Sequence, residues 1–274
     1  MISLKRNSKK ELVEATGFRS MRKSIYQPNQ TEDFRISRSK FSDFLTCPRC
    51  FYLDRVKGVQ SPSMPAWSLN ETTDHLLKKE FDECRVNQVA HRLLKKQGID
   101  WIVPFNHPDM DDWRDSLRKG LSVRHKDTNI ILSGGVDDIW VNLKNNKLIV
   151  VDYKSQASSN EVDTFEYLNS PYHEGYKIQM DFYNYLLNEM GFETEDYSIF
   201  LVVNANRHAD GFNGRMDFSE TLVNYSHDTS WVEVKINEMI KCLNSENIPK
   251  ENIHCENCAY IRSASSCAID GGNK

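Results

Sequence analysis

Apolar side chains recur with helical spacing at several places along the chain. The longest such segment runs from about Asn70 to Gln97, where Leu77 and Phe81 fall on one side, a period typical of a helix packed on a core. Asn70 can cap this helix and Gly98 can end it. The same spacing predicts shorter helices that begin near Ser39 or run over about Asp112–Lys119, Tyr172–Met190 and Thr229–Leu243.

Between these helices the pattern changes to that of β-strands. Asn129–Asn142 and Lys147–Ser155 are rich in Ile, Val, Leu and aromatic residues, and the turn-like link that joins them predicts a β-hairpin. Ser198–Asn204 is a nearly continuous apolar run, as expected of a buried strand. Other strands are predicted near Ser122–Lys126 and, as a pair, near Arg215–Tyr225. This order predicts a mixed α/β arrangement of layers around a central sheet.

Length and composition agree with a globular protein. The chain has 274 residues, of which 39% are hydrophobic and 11% aromatic, enough for one large domain and unlike a disordered chain. No apolar run approaches the roughly 20 residues of a membrane span, and the polar, basic N-terminus argues against a secretory signal peptide. We therefore expect a cytoplasmic, reducing location and no membrane partner.

The charge is distributed unevenly. The net charge is −4, but residues 1–40 carry ten basic and four acidic side chains, which leaves −10 on the remainder. A basic arm on an acidic body can hold phosphates while the body holds metal ions; a solvated tail is the alternative. Residues 1–36 are therefore predicted to be a basic flexible arm, and residues 37–274 a single domain. The stretch from Gly58 to Trp67 contains two prolines and is predicted to be a loop.

The strongest candidate chemistry lies in the predicted hairpin. Its second strand ends with Asp152 and Lys154, which are two positions apart and so share one face of the strand. In simple register, Asp137 on the first strand comes near Asp152. Two facing carboxylates repel each other unless a cation lies between them.

Oxygen ligands of this kind favour Mg²⁺ or Mn²⁺, with the backbone carbonyl of Tyr153 as a further ligand. Such an ion can lower the pKa of a bound water and neutralise charge on a scissile phosphate. Lys154 can orient the attacking water or stabilise the transition state. The alternative is an ordinary Asp–Lys ion pair at the end of a strand.

The segments Gly134–Asp138 and Val150–Ser155 together resemble the PD-(D/E)XK nuclease superfamily. The resemblance is to its RecB-like branch, which includes the CRISPR-adaptation nucleases, and it extends over about residues 37–267. It implies a restriction-endonuclease-like core, in which a central mixed β-sheet is flanked by helices. It also implies that Asp137, Asp152 and Lys154 form the metal and catalytic centre.

Two helical features belong to the same resemblance. Gln179 and Tyr183 are four positions apart and so lie on one helix face; they match a family motif that shapes the active site and contacts DNA. A core tyrosine beside a surface glutamine is the alternative. The family also has a metal-binding histidine on its first helix, and either Asp74 or His75 can take that place here. Glu80 is an outside candidate on the same helix.

Five of the seven cysteines lie in two terminal groups. Paired C-x2-C spacing in an intracellular chain indicates metal binding rather than disulfides, and the pattern that includes Cys50 suits tetrahedral Zn²⁺. The resemblance instead implies that Cys47, Cys255, Cys258 and Cys267 hold a four-iron four-sulfur cluster. Either centre would join the N- and C-terminal segments as a metal staple. Five unligated thiols are the alternative.

These features predict a Mg²⁺- or Mn²⁺-dependent DNA nuclease of exonuclease type, acting in DNA repair, recombination or defence. The expected partners are single-stranded DNA or duplex ends. Because the sequence has no helicase P-loop, unwinding would need a helicase or another recombination or defence protein. Other functions compatible with the sequence are a catalytically silent DNA-binding module, an iron–sulfur or zinc sensing protein, and a nuclease acting on RNA. The sequence assigns no residues to nucleic-acid binding.

Overall fold

The computed structural model describes residues 4–62 and 68–271. Their helices are α1 (Arg38–Thr46), α2 (Pro48–Arg55), α3 (Ser68–Asn87), α4 (Arg92–Lys96), α5 (Met110–Arg114), α6 (Thr164–Asn169), α7 (Glu174–Glu189), α8 (Val232–Leu243) and α9 (Glu256–Gly271). Their strands are β1 (Phe34–Ser37), β2 (Ile102–Pro104), β3 (Leu121–Arg124), β4 (Ile130–Gly134), β5 (Asp138–Asn142), β6 (Lys147–Gln156), β7 (Ser198–Ala205) and β8 (Phe218–Tyr225). Short 3-10 turns lie at Arg22–Ser24 and Pro171–His173.

The chain divides into two compact units. The described residues of Met1–Ala66, Arg124–Ile131 and Glu233–Lys274 form the first, which we call the terminal unit. Those of Trp67–Val123 and Leu132–Val232 form the second, the central unit. Fully buried apolar side chains occur in both, for example Phe41 in the terminal unit and Phe81 in the central unit.

The terminal unit is organised around α1 and α2. Ser37 caps α1 by accepting a hydrogen bond from the backbone N–H of Lys40. A single helix is predicted from near Ser39, but Cys47 is extended and Pro48 begins a second helix, because the residue before a proline is disfavoured in the helical region. Aromatic side chains from both helices are buried, among them Phe41, Phe44, Phe51 and Tyr52.

The segment predicted to be a flexible arm contributes buried side chains to the terminal unit. Tyr26, Phe34 and Ile36 are almost fully buried, and the Arg19 guanidinium forms an ion pair with Asp54 over 2.5 Å. The division of the chain at residue 36 stays a prediction.

The central unit contains a five-stranded mixed sheet in the order β2-β5-β6-β7-β8. β5 and β6 form the predicted antiparallel hairpin, whereas β6 runs parallel to β7. On one face α3 packs through Phe81, whose ring stacks on Trp140 at 5.0 Å between centroids. α7 also packs against β6. A mixed α/β fold with a central sheet flanked by helices is therefore confirmed. The remaining strands form a smaller sheet in the order β1-β4-β3.

The helix predicted over Asn70–Gln97 is divided in two. Gln88 has a left-handed backbone conformation, with φ of +49°. Its side chain donates to the carbonyl oxygens of Arg85 over 2.7 Å and Pro104 over 3.2 Å, which stabilises the bend. His91 then caps α4 by accepting from the backbone N–H of Leu93.

Other predicted elements differ in extent. The strand predicted over Asn129–Asn142 becomes β4 and β5, which belong to different sheets and are separated by residues 135–137. The strand pair predicted near Arg215–Tyr225 is the single strand β8, and α5 is shorter than predicted. Residues 63–67 of the predicted loop lie outside the described residues. No helix within the described ranges combines the length and apolar character needed to cross a membrane.

Candidate active site and cysteine centre

The β5–β6 hairpin brings the two predicted carboxylates together at one end of the sheet. Asp138, the first residue of β5, pairs with Val151, so Asp137, which immediately precedes β5, lies beside Asp152. The backbone N–H of Tyr153 donates to Oδ2 of Asp137 over 2.9 Å. The Asp137 side chain is 26% exposed, whereas that of Asp152 is almost completely buried.

Lys154 lies on the same face of the strand as Asp152, as the spacing predicts. Its ammonium group forms an ion pair with Asp152 and lies 4.3 Å from the centre of the Tyr176 ring, within the range of a cation–π contact. Burial lowers the pKa of Lys154, but the negative charges of Asp152 and Asp137 together raise it by a larger amount, so the net shift is upward. Lys154 is therefore a cation at neutral pH.

Asp152 has an unusual environment for a carboxyl group. Burial raises its pKa most, Lys154 lowers it, and repulsion from Asp137 raises it again, which gives a pKa of about 7. Near neutral pH, a second cation close to such a carboxyl group would stabilise its ionised form. The pair of carboxylates therefore suits a divalent ion that both can share.

The helix motif Gln179 and Tyr183 lies directly against these carboxylates. Gln179 Nε2 donates to Oδ1 of Asp152 over 2.6 Å, and the Tyr183 hydroxyl donates to the carbonyl oxygen of Gly135 over 2.5 Å. A Cβ at Gly135 would lie 2.5 Å from backbone and side-chain atoms of Ser116, so only glycine fits at this position. Both side chains of the motif thus hold α7 to the carboxylate end of the hairpin.

On α3 the two predicted candidate ligands, Asp74 and His75, have different surroundings. Asp74 is half-buried and faces Lys78, whose Nζ lies 2.8 Å from Oδ2 of Asp74 and 3.7 Å from Oδ1 of Asp137. Burial raises the pKa of Asp74. His75 is exposed. Glu80, the outside candidate, interacts instead with His91 at 3.0 Å.

An open cavity of about 640 Å³ adjoins these groups. Its lining residues within the described ranges are Asn70, Glu71, Asp74, Asp137, Tyr153, Lys154, Ser155 and Tyr176. Tyr176, Lys78 and Ser155 were not among the sequence candidates, although Tyr176 lies one helical turn before Gln179 and Lys78 one turn after Asp74. Helical spacing from the named candidates therefore could have found both.

Comparison with protein families identifies this core. The sequence model of the PD-(D/E)XK nuclease superfamily matches residues 69–263. The chain belongs to the PD-(D/E)XK nuclease superfamily. Among solved structures, a candidate exonuclease from Eubacterium rectale shares 12% sequence identity with it, at a TM-score of 0.41 over 87% of this chain and 88% of that chain. No curated protein matches the chain.

Asp138, a further aspartate of this PD-(D/E)XK core, has surroundings that differ from those of its neighbour Asp137. Asp138 is fully buried, and its Oδ1 accepts from Arg85 over 2.5 Å and from Arg114 over 2.9 Å. The Tyr153 hydroxyl donates to Oδ2 over 2.7 Å. Burial raises the pKa of Asp138, but the positive charges of the two arginines together lower it by a larger amount, so the net shift is downward. Asp138 is therefore a buried carboxylate with its own protein cations.

Four cysteines of this PD-(D/E)XK protein meet in the terminal unit. The Sγ atoms of Cys47, Cys50, Cys255 and Cys258 all lie within 4.8 Å of one another. Cys50 is 3.4 Å from Cys258 and 3.6 Å from Cys255, and Cys47 is 3.8 Å from Cys258. Cys267 is exposed and lies outside this group. We call these four thiols the cysteine centre.

Each C-x2-C pair lies at the start of a helix. Cys47 immediately precedes α2, and Cys255 immediately precedes α9, where backbone N–H groups and the helix dipole stabilise thiolates. Burial raises the pKa of Cys47. Backbone N–H donors from Asn252 and Cys50 and hydrogen bonds from the neighbouring thiols together lower it by a larger amount, so the net pKa is about 7. The chemistry of this donor set fits a thiophilic metal.

Proposed function

We propose that the chain is a Mg²⁺- or Mn²⁺-dependent nuclease that hydrolyses DNA phosphodiester bonds, with Asp137, Asp152 and Lys154 as its catalytic centre. The observation that carries this proposal is the meeting of these three groups at one end of the β5–β6 hairpin, beside an open cavity. Membership of the PD-(D/E)XK superfamily supports the reaction type.

The oxygen donors around the cavity fit a hard divalent cation. Asp137 and Asp152 would hold it, and the backbone carbonyl of Tyr153 is a further donor. We propose Asp74, rather than His75, as the ligand from α3, because Asp74 lines the cavity and is held near Asp137 by Lys78. When bound, the ion supplies positive charge that offsets charge on the scissile phosphate.

The remaining side chains orient the reacting groups and neutralise negative charge. Because Lys154 stays protonated, it can donate to a phosphate oxygen and stabilise negative charge that grows in the transition state. The Tyr176 ring limits the movement of its ammonium group. Gln179 fixes the orientation of the Asp152 carboxylate through Oδ1, while Tyr183 ties α7 to Gly135.

The finer proposal is exonuclease-type action on single-stranded DNA or duplex ends, in repair, recombination or defence. It is supported by the resemblance of the hairpin and of the Gln179–Tyr183 motif to the RecB-like branch. A helicase or another recombination or defence protein would supply unwound substrate.

A cleavage assay tests the proposal. Labelled linear single-stranded DNA, duplex DNA, circular DNA and RNA are incubated with anaerobically purified protein in Mg²⁺, Mn²⁺ or EDTA. Lys154→Ala should lower the cleavage rate about 10²- to 10³-fold, because it removes the fixed cation beside the phosphate. Lys147→Ala is the matched control, since Lys147 begins the same strand and pairs with Asn142 at its far end.

Each outcome decides between functions. Metal-dependent cutting of linear but not circular DNA, lost in Lys154→Ala and kept in Lys147→Ala, supports the full proposal. Cutting that survives Lys154→Ala contradicts the assigned centre, and faster cutting of RNA contradicts the substrate. If folded wild-type protein binds DNA without cutting it in either metal, the chain is a silent binding module instead.

A further inference from the structure

The spacing of the thiols in the cysteine centre discriminates between the two kinds of metal centre. In a tetrahedral site with Zn–S bonds of about 2.3 Å, neighbouring sulfur atoms lie about 3.8 Å apart. Three of the pairs here lie at 3.4, 3.6 and 3.8 Å. A four-iron four-sulfur cluster places eight atoms between its four thiolates, and thiols that all lie within 4.8 Å of one another enclose no such space.

The position of Cys267 provides a second, independent argument. Cys258 and Cys267 lie on the same uninterrupted helix, α9. Nine positions at 1.5 Å per residue separate them by about 13 Å along the helix axis. Thiols so far apart on a rigid helix do not converge on one centre, whereas Cys50 on α2 lies 3.4 Å from Cys258. The one-plus-three ligand set implied by the family resemblance therefore does not fit this chain.

We propose that Cys47, Cys50, Cys255 and Cys258 bind a single Zn²⁺ ion in a closed tetrahedral site. With four protein ligands the site has no open position, which is the mark of a structural rather than a catalytic zinc. The ion joins the start of α2 to the start of α9. Neighbouring contacts support this junction, since Asn252 Nδ2 donates to the carbonyl oxygen of Thr46 over 2.8 Å and Arg49 approaches Glu251 at 3.5 Å.

Metal analysis of the full-length protein tests the proposal without reference to nuclease activity. Protein is purified without oxygen from cells supplied with both zinc and iron, and metals and acid-labile sulfide are measured. We expect about one zinc per chain, no sulfide and a colourless protein. Iron and sulfide in about four copies each, with visible absorbance, would overturn the proposal.

Two variants separate the alternative ligand sets. Cys50→Ala should lose the zinc and Cys267→Ala should retain it. If Cys47, Cys255, Cys258 and Cys267 were the ligands instead, Cys267→Ala would lose the bound metal and Cys50→Ala would retain it. Cys50→His should restore zinc binding, because three cysteines and one histidine also form a tetrahedral zinc site. Zinc retained in Cys50→Ala contradicts the assignment.

Reconstitution provides a check that does not depend on the folding of variants. Metal-free wild-type protein is given either Zn²⁺ alone or ferrous iron with sulfide under anaerobic conditions. Zn²⁺ should raise the melting temperature, and iron with sulfide should produce no cluster absorbance. A stable brown product, or no binding of either metal, overturns the proposal.

Discussion

Asp137 and Asp138 are adjacent and chemically identical, yet the structure gives them opposite surroundings. Asp137 is partly exposed beside the cavity and faces a second carboxylate, Asp152. Asp138 is fully buried and accepts hydrogen bonds from two arginines, Arg85 and Arg114. A carboxylate whose charge is balanced by the protein holds structure together, whereas one that faces another carboxylate is suited to an ion from solution.

Asp138→Asn should have the largest effect on stability. It leaves Arg85 and Arg114 buried with less compensating charge, so the free energy of unfolding should fall by about 3 kcal/mol. Because its folded pKa is lowered, Asp138 contributes this stability at neutral pH and loses it as the pH falls through that lowered value. Urea denaturation of wild type and variant measures the difference.

Asp137→Asn is the matched control for that comparison. In EDTA it should change the free energy of unfolding by less than about 1 kcal/mol, because the ion pair of Asp137 with Lys78 is partly exposed. The hydrogen bond that Asp137 accepts from the Tyr153 backbone N–H can be kept by the asparagine side-chain oxygen. If the two variants were equally destabilised, the contrast between the two aspartates would be wrong.

Asp74→Ala should raise the Mg²⁺ concentration needed for half-maximal cleavage by at least about 10-fold, since it removes a carboxylate from the proposed metal site. His75→Ala, at the next position on the same helix, should change it by no more than about two-fold, because His75 is exposed and exposed substitutions usually alter free energies by less than about 0.5 kcal/mol. Metal titrations of both variants make the comparison. The reverse ranking would return the ligand role to His75.

Tyr176→Leu should have the smallest effect. Loss of a cation–π contact worth about 1 kcal/mol corresponds to about five-fold in the rate of cleavage. Tyr176→Phe keeps the ring above Lys154 and should keep the rate. Single-turnover cleavage measures both, and an equal loss in the two variants would show that the hydroxyl, rather than the ring, matters.

The parts of the site that the sequence predicts depend on local signals. Asp152 and Lys154 are two positions apart on a strand, and Gln179 and Tyr183 are four apart on a helix, so periodicity alone places each pair on one face. The hairpin register then brings in Asp137. These signals need no information about distant contacts.

The missed features depend on distant contacts. The arginines around Asp138 come from α3 and α5, which are 53 and 24 positions away. The bend after α3 is stabilised by contact between Gln88 and the carbonyl of Pro104. The exclusion of Cys267 from the proposed zinc site likewise depends on α9 continuing unbroken through that residue, which family spacing does not show. No periodicity in the sequence reports any of these arrangements.

The wide separation of the paired cysteines has a consequence for the order of folding. Cys50 and Cys255 are 205 positions apart, so at typical rates of synthesis the second pair leaves the ribosome roughly 10 to 40 s after the first. Until then only two of the centre's four thiols, those of Cys47 and Cys50, have been synthesised. The cysteine centre can therefore form only after Cys258 has been synthesised, and a chain that ends before Cys255 retains the proposed catalytic residues but lacks half of the centre's thiols.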